Sequence, residues 1–322
     1  MNNLTGGHTF QLSPDSCQTE IDGVAWEKYQ RKQLPSVLSA QDPFFFKQSS
    51  FQGKLGYTWD EDSNIGQFDE MDEQEEFENT DTRIGNTKNV KVQKWGKQVP
   101  VSDEAFNADM HGLRASIGTK IGDRARLTQD KRAILNTYGD AFAGSVNTTP
   151  DAVSLANNSH VTLKSITIDN LETGVLNADN LWTAVQALHN QKAQDGENGG
   201  YQFEGLLVPL ILYKTAHEIM EATLVPYSAE NQPNIFDTVY GTVNVKQSQY
   251  LGSTYNSASN ANTSYHLLSS SHLINRMVYR DLYTSLIPPE NTANDSYVYR
   301  GRFLERHFPE SWCGYIGSNG TV

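Results

Sequence analysis

The residues in this chain that could do chemistry fail on their spacing. His217 and Glu218 are adjacent in an amphipathic stretch. A helix-borne zinc hydrolase needs a second His four residues on, so that two imidazoles share one face, but position 221 is Glu221. Cys313 stands between Trp312 and Gly314, with no local pattern marking a nucleophile. The glycines from Gly196 to Gly200 follow a predicted helix rather than a strand, the wrong order for a dinucleotide cradle. Carboxylates crowd together only between Asp60 and Asp81, with eleven acids and no base, where no apolar surroundings would move their pKa values. Asp60, Asp62 and Asn64 alternate as a calcium loop begins, but Ile65 holds the position that such a loop gives to Gly, and no Glu closes it. No catalytic site, metal or cofactor is expected.

Composition narrows the classes that remain. The chain has 322 residues, 37% of them hydrophobic, and a net charge of −13. That length allows two domains, and the low apolar content points to long polar loops or wet interfaces. The acidic balance argues against a broad basic face that grips nucleic acid, though not against enclosing it. Cys17 and Cys313 are read as free thiols of a reducing compartment. No apolar run reaches the roughly 18 residues of a membrane span, and the N-terminus lacks a secretion pattern, so a soluble chain made in the cytoplasm is expected.

The elements that would position any site read as follows. Residues 1–43 form a polar arm with at most one short helix near Ala25 to Lys32, lying on a neighbour or disordered. Residues 44–99 form an extended β-hairpin loop with strands near Gly53 to Trp59 and Asn89 to Val99. Its acidic tip, residues 60–81, includes Asp69, Glu70, Asp72, Glu73, Glu75 and Glu76. Such a run repels itself and extends in water, and it also suits a projecting hairpin. Pro100 to Leu135 reads as one long helix capped by Ser102, with Phe106, Met110, Leu113, Ile117 and Ile121 as its apolar stripe. Gly112, Gly118 and Gly122 weaken it by ~1 kcal/mol each, so it must depend on packing. Its later half carries Lys120, Arg124, Arg126, Lys131 and Arg132, either a solvated face or one turned to an anionic partner. A second helix, capped by Asn177, covers Asn177 to Gln194. A buried strand from Leu206 to Val208 stops at Pro209 and turns into a helix, and an alternating strand follows from Thr238 to Val245. Tyr265 to Leu268 reads as a short strand, and Tyr297 to Gly320 as a long strand at a sheet edge.

In this order the residues carry a likeness. Pro100-Val-Ser-Asp-Glu-Ala-Phe106 leads into the long helix. Asp140-Ala141-Phe142, Asp151, Leu155 and His160 follow in turn. Then come Leu206-Leu207-Val208-Pro209-Leu210 with Thr215-Ala216, Asn234, Gly241, Val243, Val245, Tyr250-Leu251, and Ser264-Tyr265-His266-Leu267-Leu268. The set resembles tailed-phage major capsid proteins of the Hong-Kong-97-type fold, most of all the Mu-like major head subunits, over residues 90–320. Leu210 replaces a second proline of that pattern, and Tyr265 a tryptophan.

The resemblance implies an α+β fold. Its parts would be the arm (1–43), the extended loop (44–99), a peripheral domain with the long spine helix (100–150), a mainly axial domain of mixed sheet and flanking helices (151–264), and a return to the peripheral domain through C-terminal strands (265–322). It implies hexamers and pentamers that close into an icosahedral head around double-stranded DNA, held without sequence specificity, with no enzyme activity and no membrane partner. The basic residues of the long helix become candidate inter-subunit or inner-surface contacts. A portal, a separate scaffolding protein and a decoration or cement protein are the further partners, and the virion, assembled in the host cytoplasm, is the location. Two alternatives stay open: an encapsulin-like nanocompartment shell, and a secreted β-rich carbohydrate-binding or hydrolase protein.

Overall fold

The computed structural model describes residues 14–30, 34–48, 53–63, 84–108, 112–223, 234–292 and 296–321. The helices are α1 (Pro14–Tyr29), α2 (Asp103–Ala108), α3 (Leu113–Ile134), α4 (Ala178–His189), α5 (Tyr213–Glu221) and α6 (Ile235–Tyr240). The strands are β1 (Gly56–Asp62), β2 (Ile84–Lys91), β3 (Gln93–Ser102), β4 (His160–Val161), β5 (Thr167–Ile168), β6 (Leu171–Glu172), β7 (Gly205–Pro209), β8 (Asn244–Ser248), β9 (Tyr265–Leu268), β10 (Ile274–Ile287), β11 (Ser296–Pro309) and β12 (Tyr315–Ser318). The described residues fall into two compact units, the first drawn from 1–32, 93–129 and 279–305 and the second from 33–92, 130–278 and 306–322.

The first unit is a three-stranded sheet, order β10-β11-β3, with helices on one face. β11 and β3 pair antiparallel from Ser296 opposite Ser102 to Glu305 opposite Gln93. Strand alternation puts Tyr297 and Tyr299 on the helix side, where they meet Ile21, Phe106, Ile117 and Ile121. Pro100 sits in the edge strand β3, where a missing ladder donor is tolerated.

Helix α1 lies against α3 along one stripe. A Cβ on Gly118 would stand 2.7 Å from the Ile21 carbonyl oxygen, and one on Gly122 would stand 2.2 Å from that of Ala25. One turn further, Arg126 Nη1 donates to the Tyr29 carbonyl at 3.3 Å, satisfying the exposed end of α1. Gly122→Ala therefore pits ~1 kcal/mol of helix propensity against a clash with backbone. Overpacking costs about 1–3 kcal/mol, and backbone cannot rotate away, so the variant should be the less stable protein. A Cβ on Gly23 would meet nothing within 4 Å among the described residues, so Gly23→Ala should gain ~0.5–1 kcal/mol. Urea unfolding of the two variants should give opposite signs, and equal signs would mean that α1 does not pack here.

The second unit is built on a mixed five-stranded sheet, order β6-β12-β9-β7-β8. All five residues of β7 are buried. Leu206 and Val208 face one core, with Leu181, Val185 and Leu188 of α4 and Ala216 and Ile219 of α5. Leu207 faces the other, with Ile134, Tyr138, Phe45 and Phe46. A strand covered on both faces reads as an unbroken apolar run, as this one does. Pro209 ends it with φ −60° and ψ 154°, and a single 3-10 turn leads into α5. The Asn177 side chain accepts from the Asn180 N–H at 2.8 Å and starts α4.

Residues 34–48 are laced into this unit. The Leu38 N–H donates to the Gln247 carbonyl, and the Gln247 N–H to that of Ser36, closing the free edge of β8. Lys47 exchanges backbone hydrogen bonds with Ile274 and Arg276 at the start of β10. The Tyr138 hydroxyl donates to the Phe45 carbonyl at 2.8 Å, and Asp130 Oδ1 accepts from the Ala40 N–H at 2.8 Å.

Several elements differ from the sequence reading. The long helix starts at Leu113, not Pro100: β3 runs through Ser102, and Gly112 breaks the helical path with φ 62°. Ser102 does cap, but it caps the short α2, through the Ala105 N–H at 3.3 Å. Within the arm read as residues 1–43, with at most a short helix near Ala25 to Lys32 and lying on a neighbour or disordered, Pro14–Tyr29 form α1 and residues 34–43 pack on the rest of the chain, because Ile21, Ala25, Tyr29 and Leu38 are buried there. Thr238 to Tyr240, read as the start of a strand, are the end of α6, which Asn234 caps through the Phe236 N–H. β11 is the centre of its sheet rather than an edge, and β12 belongs to a different sheet.

Candidate assembly surfaces

Among the described residues, strands β1 and β2 pair only with each other, from Gly56 opposite Lys91 to Asp62 opposite Ile84, with an irregularity between Asp60 and Asp62. Most of their side chains are exposed, Ile84 at 75% and neighbouring Leu55 at 58%. An isolated two-stranded ribbon is marginal in water, so its foot must be fastened. Trp59 and Val90 pack on Met277 and Phe308. Lys88 Nζ reaches Thr148 Oγ1 at 2.5 Å and the Thr149 carbonyl at 3.2 Å. Burial lowers the Lys88 pKa. Glu61 accepts from Asn86 at 3.1 Å and from Gln194 at 3.3 Å. The proposed tip residues Asp69, Glu70, Asp72, Glu73, Glu75 and Glu76 lie outside the described residues.

The basic residues of α3 are not one surface. Lys120 and Arg124 are exposed, whereas Arg126 is 8% exposed and committed to α1. Arg126 repeats the spacing of Gly118 and Gly122, four residues apart on one helix face, and that spacing was the available sign that it turns inward. Lys131 lies over the Tyr255 ring at 5.5 Å, and Arg132 is exposed.

The residues that carried the likeness after the long helix converge. Asp140 follows a π-turn, Leu135–Gly139, and accepts from the N–H groups of Ser145, Val146 and Asn147. Asp151 Oδ2 pairs with His160 Nδ1 at 2.6 Å, and His160 Nε2 meets the Leu155 carbonyl at 3.2 Å. Burial pushes the Asp151 carboxyl up, but hydrogen bonds from His160 and Thr149 outweigh it and hold the group below its ordinary value. Both imidazole nitrogens are occupied and the ring is fully buried against Trp312, so this is a structural pair that no substrate reaches.

The other reactive types are equally committed. His217 pairs with Glu221 at 3.1 Å on the surface of α5. The Cys313 thiol is buried and pushed up by burial, the opposite of an activated nucleophile. Among the described residues no group of three or more His, Cys, Asp or Glu could hold a metal ion. No described helix is long and apolar enough to cross a membrane. Sequence reading did not single out the exposed pair Leu210 and Ile211, 57% and 66% exposed, beyond the buried β7. Their position in one continuous apolar run hid the change from core to surface.

A family model described as phage capsid protein matches residues 85–303, more than half of the chain. The chain belongs to the phage capsid protein family. Its fold is the Hong-Kong-97-type capsid fold. The capsid of Ralstonia phage GP4 superposes with a TM-score of 0.54 at 12% identity, covering 90% of this capsid protein and 94% of that chain. The mature capsid of bacteriophage PhiM1 gives 0.51 at 12%, covering 90% and 87%. A virus-like particle from Pyrococcus furiosus gives 0.51 at 10%, covering 93% and 98%. At such identities these likenesses concern the fold. No protein of curated function matches this capsid protein. Nothing in these comparisons singles out the Mu-like head subunits. Membership in this family makes the chain a structural protein.

Proposed function

We propose that this chain is the major head subunit of a tailed phage, assembled as hexamers and pentamers into a closed icosahedral shell around double-stranded DNA. The observation that carries the reading is the β1–β2 ribbon, which is fastened at its foot and exposed along its length in a chain of the capsid family. A ribbon of this kind gains its missing contacts from a neighbouring copy, and symmetry repeats each such contact around the shell. In this reading the first unit is the peripheral domain, and the second carries the axial domain and the extended loop. Lys120 and Arg124, and separately Lys131 and Arg132, are its inner-surface or inter-subunit contacts. DNA is held without sequence specificity, and portal, scaffolding and decoration proteins complete the particle in the host cytoplasm.

Expression of the full chain followed by sedimentation and electron microscopy tests this reading. Closed megadalton shells with five- and six-fold vertices are expected. A compact monomer across salt and protein concentration would overturn the proposal, and shells that enclose a protein cargo would favour a nanocompartment.

A further inference from the structure

Strand β10 is an edge of its sheet. The start of that edge is covered: Lys47 bonds to Ile274 and Arg276, and the Gly53 N–H donates to the Val278 carbonyl at 2.9 Å. From Leu282 to Ile287, among the described residues, no backbone hydrogen bond reaches the edge from outside the sheet. Beside this stretch lies a groove of about 270 Å³, bounded by Asp22 and Trp26 of α1 and by Leu282, Tyr283 and Thr284 of β10. Trp26, a wall of the groove, is 44% exposed. An open strand edge invites another strand, and folded sheets cover or blunt such edges. A groove between an edge strand and a helix suits an extended peptide, which bonds to the strand through its backbone and seats alternate side chains in the groove.

The two walls fix a direction. Asp22 Oδ1 accepts from the Thr284 hydroxyl, and further along α1 the Tyr29 hydroxyl donates to Asp281 Oδ1 at 3.4 Å. Helix α1 therefore runs antiparallel to β10, and a chain that doubles back from Pro14 runs parallel to β10. The residues before Pro14 include a fitting stretch. After Gly6 and Gly7 they read His8-Thr9-Phe10-Gln11-Leu12, where polar and apolar side chains alternate as in a half-buried strand. Phe10 precedes Pro14 by four residues, about 13 Å of extended chain. Asp22 follows Pro14 by eight residues, about 12 Å of helix. The stretch is thus long enough to reach the Asp22 end of the groove. A tether this short sets an effective concentration on the order of millimolar, whereas a separate chain bears the full entropy of association.

We propose that residues 8–12 of the same chain dock in this groove as an added strand parallel to β10, with the Phe10 ring in the groove. Both partners belong to the first unit, so the contact forms with or without a shell.

Hydrogen exchange of the full chain, read by mass spectrometry over residues 282–287, tests the docking. The outward-pointing amides of this stretch should be protected in the wild type. Phe10→Asp should speed their exchange at least ten-fold, while residues 297–303 of β11 keep their rates. A chain lacking residues 2–12 is the second variant if Phe10→Asp does not fold, and the same change is expected of it. Equal rates in the wild type and the folded variant overturn the docking. Protection that disappears on dilution of the protein assigns the strand to a second copy and overturns the own-chain occupant.

Discussion

Acidification from pH 7 to about pH 4.5 is expected to unfold the isolated subunit. Three imidazoles in the second unit are buried as neutral rings. Burial lowers His266 from its ordinary 6.5 to about 3, lowers His272 to about 4, and, with Arg276 nearby, lowers His307 to about 3. His266 lies among Tyr138, Phe142 and Tyr315. His272 Nε2 donates to the Phe44 carbonyl at 2.6 Å, with Lys47 adding positive charge nearby. His307 Nε2 donates to the Ala40 carbonyl at 3.1 Å, beside the Phe46 ring.

The sign follows from proton binding. Below pH 6.5 the unfolded chain takes up protons that the native state refuses. The stability from each neutral ring is complete above 6.5 and is lost as pH falls towards the folded value, at about 1.4 kcal/mol per pH unit. By pH 4.5 three such groups remove up to about 8 kcal/mol, against a typical total of about 5–15 kcal/mol. Glu61, Glu172 and Glu310 act in the opposite sense, because burial raises their pKa values and the native state gains protons first. Their shifts are smaller than those of the three imidazoles, so the histidines dominate. Calorimetry between pH 7.5 and 4.5 should show a steep fall in Tm. His272→Gln and His307→Gln, which keep an N–H donor, should each flatten the slope by about 1.4 kcal/mol per pH unit. An unchanged slope in both, or imidazole resonances that titrate near 6.5 in the native protein, would rule this account out.

Val208→Asp should abolish soluble folding. Val208 is fully buried in β7, with β8 on one side and β9 on the other. The change removes about 1.5–3 kcal/mol of apolar burial and places a carboxylate where no partner waits, which costs several kcal/mol more even if the group takes a proton. Together these exceed the range of ordinary substitutions. Leu210→Asp, two residues on, is the control: Leu210 is 57% exposed, and a change within about 0.5 kcal/mol is expected. Soluble yield and urea midpoints separate the two positions. Soluble Val208→Asp protein with a wild-type midpoint would show that β7 is not the core strand.

The sequence made some elements plain and disguised others for physical reasons. β7 was legible because an apolar run ending at Pro209 has few other interpretations. The cap of α4 at Asn177 was legible for the same kind of reason, a side chain matched to an orphan N–H. The start of the long helix was not, because Phe106 and Ile117 pack in the same core from two different helices, so their spacing continues in phase across the break at Gly112. α6 was hidden by Val239, Val243 and Val245, whose alternation suggests a strand, while the Asn234 cap and Asp237 in the first turn were the better signals. The groove beside Trp26 assembles residues from α1 and β10, a grouping that only the folded chain creates.

The closure of β8 by residues 36–38 sets an order of events on the ribosome. The Lys246 side chain and the Pro35 carbonyl that it grips are separated by 211 residues. At roughly 5–20 residues per second, about 10–40 s pass between synthesis of the lacing segment and synthesis of the strand it covers. Throughout that interval Phe44, Phe45 and Phe46 are translated with no sheet to receive them, and long-range pairings of this kind are slow to form even once both halves exist. The nascent chain therefore carries an adhesive aromatic segment for most of its synthesis, and shielding it until β8 emerges is expected to raise the yield of folded chain.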